Sequence, residues 1–258
     1  MSEHEFTDVD LSGATFEHVD LAGARFRRVR LGGARIENAD LTGLVLRDVD
    51  LVDVEITGEL RGVVVNGVEI DALVEAELDR RDPERVHMRP TDADGFRRAW
   101  DLLEQRWGET VERARRLGED RLHESVDDEW SFVQTLRHLV FATDTWVLRV
   151  IDGDPRPWDQ LSLPFDQMAP DPEVPWDRDA RPPLDEVLAL RRTRTDRVRR
   201  LLDDLSDARL DEHTEPVEGP GWPPPDRYPV RECLLTVLNE EWEHRRYAER
   251  DLAALEAR

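Results

Sequence analysis

A chain of 258 residues is long enough for one large domain or two modest ones, each with its own apolar core. Its formal net charge of -23, with 37% charged residues, sets up a field that repels phosphate backbones and argues against nucleic-acid binding. The single cysteine, Cys233, excludes an intramolecular disulfide; the polar start Ser2-Glu3-His4-Glu5 and the lack of a long apolar run predict no signal peptide and no membrane span, hence a cytoplasmic protein. All 36 basic residues are arginine, a bias expected of a GC-rich genome such as an actinobacterial one.

The first segment repeats every five residues: Phe6, Leu11, Phe16, Leu21, Phe26, Leu31, Ile36, Leu41, Leu46, Leu51 and Ile56 stand at constant spacing. Small or branched apolar residues, among them Val9, Ala14, Val19, Ala24 and Val29, stand two positions before them. Neither a helix nor a strand sustains a period of five, so each pentad is a turn-sized unit that buries its face by stacking on its neighbours. The Asp-Leu-x-x-x runs resemble the pentapeptide-repeat family. That resemblance implies a short right-handed quadrilateral β-helix over residues 1–66, a solenoid of fewer than three coils. Long members of the family have been read as mimics of duplex DNA. Thirteen acidic residues against six arginines through Leu60 suit mimicry in sign, but the shortness and the basic patch Arg25, Arg27, Arg28, Arg30 and Arg35 do not. A stability or docking module, open to a protein partner or a homo-oligomer, fits better.

Asn66-Gly67 signals a turn, Ile70 to Arg80 reads as a short helix, and Pro83 and Pro90 punctuate a linker, so residues 67–90 are read as a capping helix and connector. From Thr91 the period becomes helical. Phe96, Trp100, Leu103, Trp107, Val111 and Ala114 mark one long helix. Ser131 with Gln134 forms a capping box opening a second, which Gly153 ends near Ile151. A third spans about Leu184 to Leu205, and a fourth about Pro229 to Ala257. Four such helices over residues 91–258 predict a bundle. The connection of some thirty residues between the second and third is long enough for a crossover or a lid, and carries Trp158, Phe165, Met168 and Trp176. These, with Trp222, either line a pocket or cover the bundle end.

The last helix presents Leu234, Val237, Glu240, His244, Ala248, Leu252 and Leu255 on one face. A carboxylate inside an apolar stripe is costly unless paired or bound to a cation, and residues four apart on a helix converge on one ion. His138 lies in the apolar run Leu136 to Phe141 of the second helix. Together the three would make an N, O, N set with an open position, as catalytic zinc is commonly held. Periodicity alone is also met by a hydrogen-bonded core histidine and a Glu240/His244 pair on a solvated face.

Thr135-Leu136-Arg137-His138-Leu139-Val140-Phe141-Ala142-Thr143-Asp144-Thr145-Trp146 resembles the second-helix motif of DinB-like proteins, and Asn239-Glu240-Glu241-Trp242-Glu243-His244 their last-helix ligand motif. The resemblance implies a four-helix bundle with a crossover and a divalent metal, most often zinc, with nickel, iron or manganese as alternatives, held by His138, Glu240 and His244. A branch with glutamate at the position of Glu240 includes mycothiol-dependent maleylpyruvate isomerases and S-transferases. That implies a metal-dependent enzyme acting with a low-molecular-weight thiol on a small electrophile. Tyr247-Ala248-Glu249 departs from the His-Ala-Asp these relatives carry. The alternatives are a metal-dependent hydrolase and a metal-stabilised scaffold without catalysis. No residue is assigned as general acid or base. Tyr247, Arg191 and Cys233 are candidate pocket residues; Arg191 also reads as a snorkelling side chain, and Cys233 as a small buried apolar one. Glu241 and Glu243 turn away from the His244 face.

Overall fold

The computed structural model describes residues 5–258 apart from 38, 167 and 170. The chain divides into two compact units, Met1–Gly58 and Glu59–Arg258.

In the first unit the pentads pair into a repeat of ten. Gly13, Gly23, Gly33 and Gly43 take φ between 75° and 78°, and each closes a turn in which the following amide donates to the carbonyl two residues before the glycine, as in Ala14 N to Leu11 O at 3.0 Å and Ala24 N to Leu21 O at 2.9 Å. This left-handed second corner is what glycine permits. Asp10, Asp20 and Asp40 start three of these turns by accepting from the amides of Ser12, Ala22 and Thr42 at 2.8–2.9 Å. Five residues after a glycine turn, His18, Arg28 and Asp48 hold the same left-handed corner at φ 52–55° with side chains that rarely adopt it. The β-helix expected over residues 1–66 is not borne out. No strand occurs among the described residues up to Gly58, and the eleven central pentad residues remain 45–70% exposed. The period of five marks turn-sized units, and those turns form, but the period alone does not fix whether successive units stack into a closed coil.

The second unit opens with a two-stranded hairpin, β1 Val64–Val65 and β2 Val68–Glu69, in register Val65 to Val68. Asn66 and Gly67, both at positive φ, make the two-residue turn that Asn-Gly favours. Helix α1, Asp71–Arg81, and a 3₁₀ segment Pro83–Met88 follow, tied by Arg85 and Arg89 to Glu75 and Asp79. Met88 is buried against the bundle.

Four long helices form that bundle: α2 Ala93–Arg115, α3 Phe132–Thr143, α4 Leu184–Asp203 and, after the single turn α5 Asp207–Leu210, α6 Val230–Glu256. Asp92 caps α2, and Ser131 with Gln134 forms the expected capping box on α3. Helix α3 continues as a π-helical segment, Asp144–Ile151. Each long helix packs on two others. Arg97 near the start of α2 donates to Leu202 and Leu205 at the end of α4, whereas Arg113 near its end reaches Glu249 and Glu256 of α6. Helix α2 therefore runs against α4 and with α6. Arg137 reaches Ala180 ahead of α4, and Asp152 meets Arg197 far along it, so α3 and α4 are parallel and residues 152–183 are the crossover. The core is apolar at the positions the helical period marks: Phe96, Trp100, Leu103 and Trp107 on α2, and Leu234, Val237, Ala248, Leu252 and Leu255 on α6. Burying each large side chain contributes roughly 1.5–3 kcal/mol. No helix among the described residues is long and apolar enough to cross a membrane.

Candidate metal centre

Helices α3 and α6 are antiparallel: Trp146, late on α3, packs edge-on against Tyr228, just before α6, and His138, early on α3, meets His244 midway along α6. Glu240 and His244 share a face because they are four residues apart on a regular helix. The outcome is one cluster. His138 Nε2 lies 3.2 Å from Glu240 Oε2, His244 Nε2 lies 3.1 Å from the same oxygen, and all three donor atoms lie within 4.8 Å of one another. Ligand atoms around one zinc ion, bound at about 2.0–2.2 Å, sit roughly 3 to 3.5 Å apart.

The second nitrogen of His138 decides what that cluster can hold. His138 Nδ1 is 3.0 Å from the carbonyl oxygen of Leu163. A carbonyl only accepts, so Nδ1 carries the proton and donates it, which leaves Nε2 of the neutral ring with a lone pair aimed at a carboxylate oxygen. Two lone pairs at 3.2 Å require a proton or a cation between them. Burial favours the neutral Glu240 carboxyl, but the hydrogen bonds and positive charge offered by His138 and His244 override it and hold the group well below the usual carboxylate range. A cation replacing those protons would meet the same ionised oxygen, and the donor set fits a divalent metal.

Trp130 walls the cluster, with its indole 4.5 Å from the His138 ring and stacked on His244 at 5.8 Å. Its Nε1 donates to Asp166 at 3.2 Å. Of the candidate pocket residues, Tyr247 stands edge-on to His244 at 5.9 Å and is 44% exposed, so it flanks the site. Arg191 instead makes a bidentate pair with Glu241 at 3.2 and 2.9 Å, both side chains buried, under the Trp107 ring. Neither its snorkelling nor a substrate contact describes that position, and Glu241 turns away from His244 into a buried ion pair, not into solvent. Cys233 is buried and outside the cluster, its thiol pushed up to about 12 by loss of solvent. Phe141, Trp158 and Val174 form a small apolar core joined by Phe165, Met168 and Trp176, so the crossover aromatics pack on one another beside α3. Trp222 stands edge-on to Phe165 and is 39% exposed. A cleft of about 830 Å³ beside Asp152, Arg209, His213 and Arg227 includes none of the three cluster residues.

Sequence reasoning passed over Trp130, Asp144, Ser162 and the Leu163 carbonyl. Trp130 directly precedes the capping box, and that adjacency was its one available signal.

The fold and the cluster together define a four-helix bundle with a parallel crossover and a His, Glu, His donor set between two antiparallel helices. The model of the DinB superfamily matches residues 102–248, more than half of the chain, and the protein belongs to that family. The model of pentapeptide repeats matches eight copies over residues 5–43. No curated protein and no solved structure matches the chain.

Proposed function

We propose that His138, Glu240 and His244 bind one divalent metal, zinc above all, and that the protein is an enzyme using it with a low-molecular-weight thiol of the mycothiol kind, in S-transfer to or isomerisation of a small electrophile. The observation that carries the reading is the pair of histidine nitrogens converging on one carboxylate oxygen, with the His138 tautomer fixed by Leu163. Such an ion would supply Lewis acidity, enough to keep a bound thiol ionised or a bound water nucleophilic at neutral pH. Among the described residues no fourth histidine, cysteine, aspartate or glutamate joins the cluster, which supports an open position for a substrate atom. Trp130 and Tyr247 would exclude water on either side of it and orient a small ligand by contact. The glutamate at 240 favours the thiol over hydrolysis by resemblance, and the Tyr247-Ala248-Glu249 stretch leaves the particular thiol to experiment. A second reading, a metal-stabilised scaffold without catalysis, draws on the apolar pentad residues left exposed in the first unit.

Metal analysis of the purified protein is expected to give one equivalent. Alanine at His138, Glu240 or His244 should each remove most of it, and double variants should lose little more, because any two-ligand remnant is already compromised. Glu243→Gln, in a residue paired with Arg246, is the control expected to keep it. Consumption of thiol in the presence of a panel of small electrophiles, by wild type and not by Glu240→Ala, separates the enzyme from the scaffold. Protein that neither carries nor takes up zinc, nickel, iron or manganese refutes the site.

A further inference from the structure

Residues 161–163 of the crossover are hydrogen-bonded to α3 and to the π-helical segment that continues it. Arg137 Nε donates to Leu161 O at 2.9 Å and Leu163 N donates to Arg137 O at 3.2 Å. Ser162 Oγ donates to Asp144 Oδ2 at 2.6 Å, and His138 Nδ1 donates to Leu163 O at 3.0 Å. Arg194 Nε, from α4, donates to Asp144 Oδ1 at 2.8 Å, so the carboxylate is held from both sides. Ser162 and Asp144 are both fully buried.

We infer that Ser162 and Asp144 are positioning residues for His138, fixing its tautomer and ring orientation through the Leu163 carbonyl. The inference rests on the metal-site reading above and deepens it. The imidazole is attached to α3 through two rotatable bonds, and its ligand nitrogen is defined only while Nδ1 has an acceptor. That acceptor belongs to the peptide group one residue after Ser162. Should the segment drift, the proton has a second acceptor in Glu240, and a proton on Nε2 occupies the lone pair a metal needs. Packing alone does not call for a buried carboxylate here, because an apolar pair of similar volume would hold the loop as well without the cost of desolvating ions. A hydrogen-bonded serine and a two-sided carboxylate provide what apolar contact does not, a fixed height of the Leu163 carbonyl relative to α3.

The test uses the full chain labelled with ¹⁵N, metal-free and zinc-loaded. In metal-free wild type the Nδ1 proton of His138 should exchange slowly with solvent. Ser162→Ala should speed that exchange about tenfold or more, weaken zinc binding measured against a chromophoric chelator by about 10–100-fold, and alter the absorption spectrum of the cobalt-substituted protein. Asp144→Ala should do the same. Asp144→Asn keeps the shape and can accept from Arg194 through Oδ1 while its Nδ2 donates to the Ser162 hydroxyl, so it should lie closer to wild type than Asp144→Ala in all three readings. Wild-type exchange, affinity and spectrum in Ser162→Ala overturn the proposal. So does loss of proton protection that occurs only together with a global loss of folding, since that makes the pair a general structural contact. If wild type takes up no metal, the exchange measurement still decides the positioning role, and only the metal reading falls.

Discussion

Glu240 and Glu241 are neighbours on one helix and do opposite things. Glu240 is partly open and shared by two histidines, whereas Glu241 is 2% exposed and closed against Arg191. The second arrangement is a buried ion pair, for which losing one partner strands the other in a medium that solvates it poorly. Glu241→Ala is therefore expected to lower unfolding free energy by about 3–5 kcal/mol in urea titrations. The protein that remains folded should keep its metal. The double variant Glu241→Leu/Arg191→Met should recover most of the loss, and failure to recover would mean that the pair is favourable in its own right. Spacing on α6 made Glu240 and His244 legible, because they interrupt an apolar stripe. It turned Glu241 away from that face but could not say what it meets, because its partner is an arginine on α4, and no local pattern reports which residues of distant helices meet.

The same distinction holds for whole elements. Helix positions, the capping box at Ser131 and the crossover could be read from apolar period, cap chemistry and connection length. The path of the crossover could not, because residues 152–183 have no period. Their anchors are buried arginines, which no apolar period marks. Arg137 is fully buried and donates to the carbonyls of Leu161, Asp177, Arg178 and Ala180, and Arg149 donates to Pro155, Val217 and Gly219. The π-helical segment contributes the third anchor, Asp144, whose carboxyl is pushed up to about 6 by burial, against the opposing hydrogen bonds of Arg194 and Ser162 and with a small further push from Asp159. A carboxyl harder to ionise folded than unfolded makes the folded state the better proton binder between pH about 4 and 6, so its contribution to stability declines as pH rises through that window. Glu75 and Glu84, held low by hydrogen bonds from Arg85 and Arg106, run the other way. The informative quantity is thus a difference. The stability of wild type relative to Asp144→Asn should fall by as much as about 3 kcal/mol between pH 4 and 7, read from urea midpoints across that range. A difference that is flat or rises with pH contradicts the assignment.

At the scale of the molecule the two units differ in how much they bury. The bundle has closed cores drawn from its own residues, including Trp100, Leu103, Val237 and Trp242 in one cluster and Leu122, Leu136, Val187 and Leu252 in another. A fragment spanning residues 59–258 contains all of them, so it should show the helical circular dichroism of the full chain and an unfolding midpoint within a few degrees of it. The pentads are another matter. Ordering a residue costs about 1–2 kcal/mol, and side chains that remain half exposed return only part of the roughly 25 cal/mol per Å² that burial provides. Turn hydrogen bonds at Gly13, Gly23, Gly33 and Gly43 shape the chain locally without closing a core. A fragment of residues 1–58 should accordingly unfold without a cooperative transition. Substitution separates this arrangement from a stacked solenoid within the intact protein. Phe16 is 60% and Leu21 47% exposed, so Phe16→Asp and Leu21→Asp place a charge where water can reach it and should each shift stability by no more than about 0.5 kcal/mol. In a β-helix the same residues would face the interior, and an unpartnered carboxylate there would cost several kcal/mol. A large loss of stability in either variant, absent in the neighbouring Glu17→Ala, would show that the pentads bury their central residues after all, and that the repeat of ten is the local geometry of a closed coil.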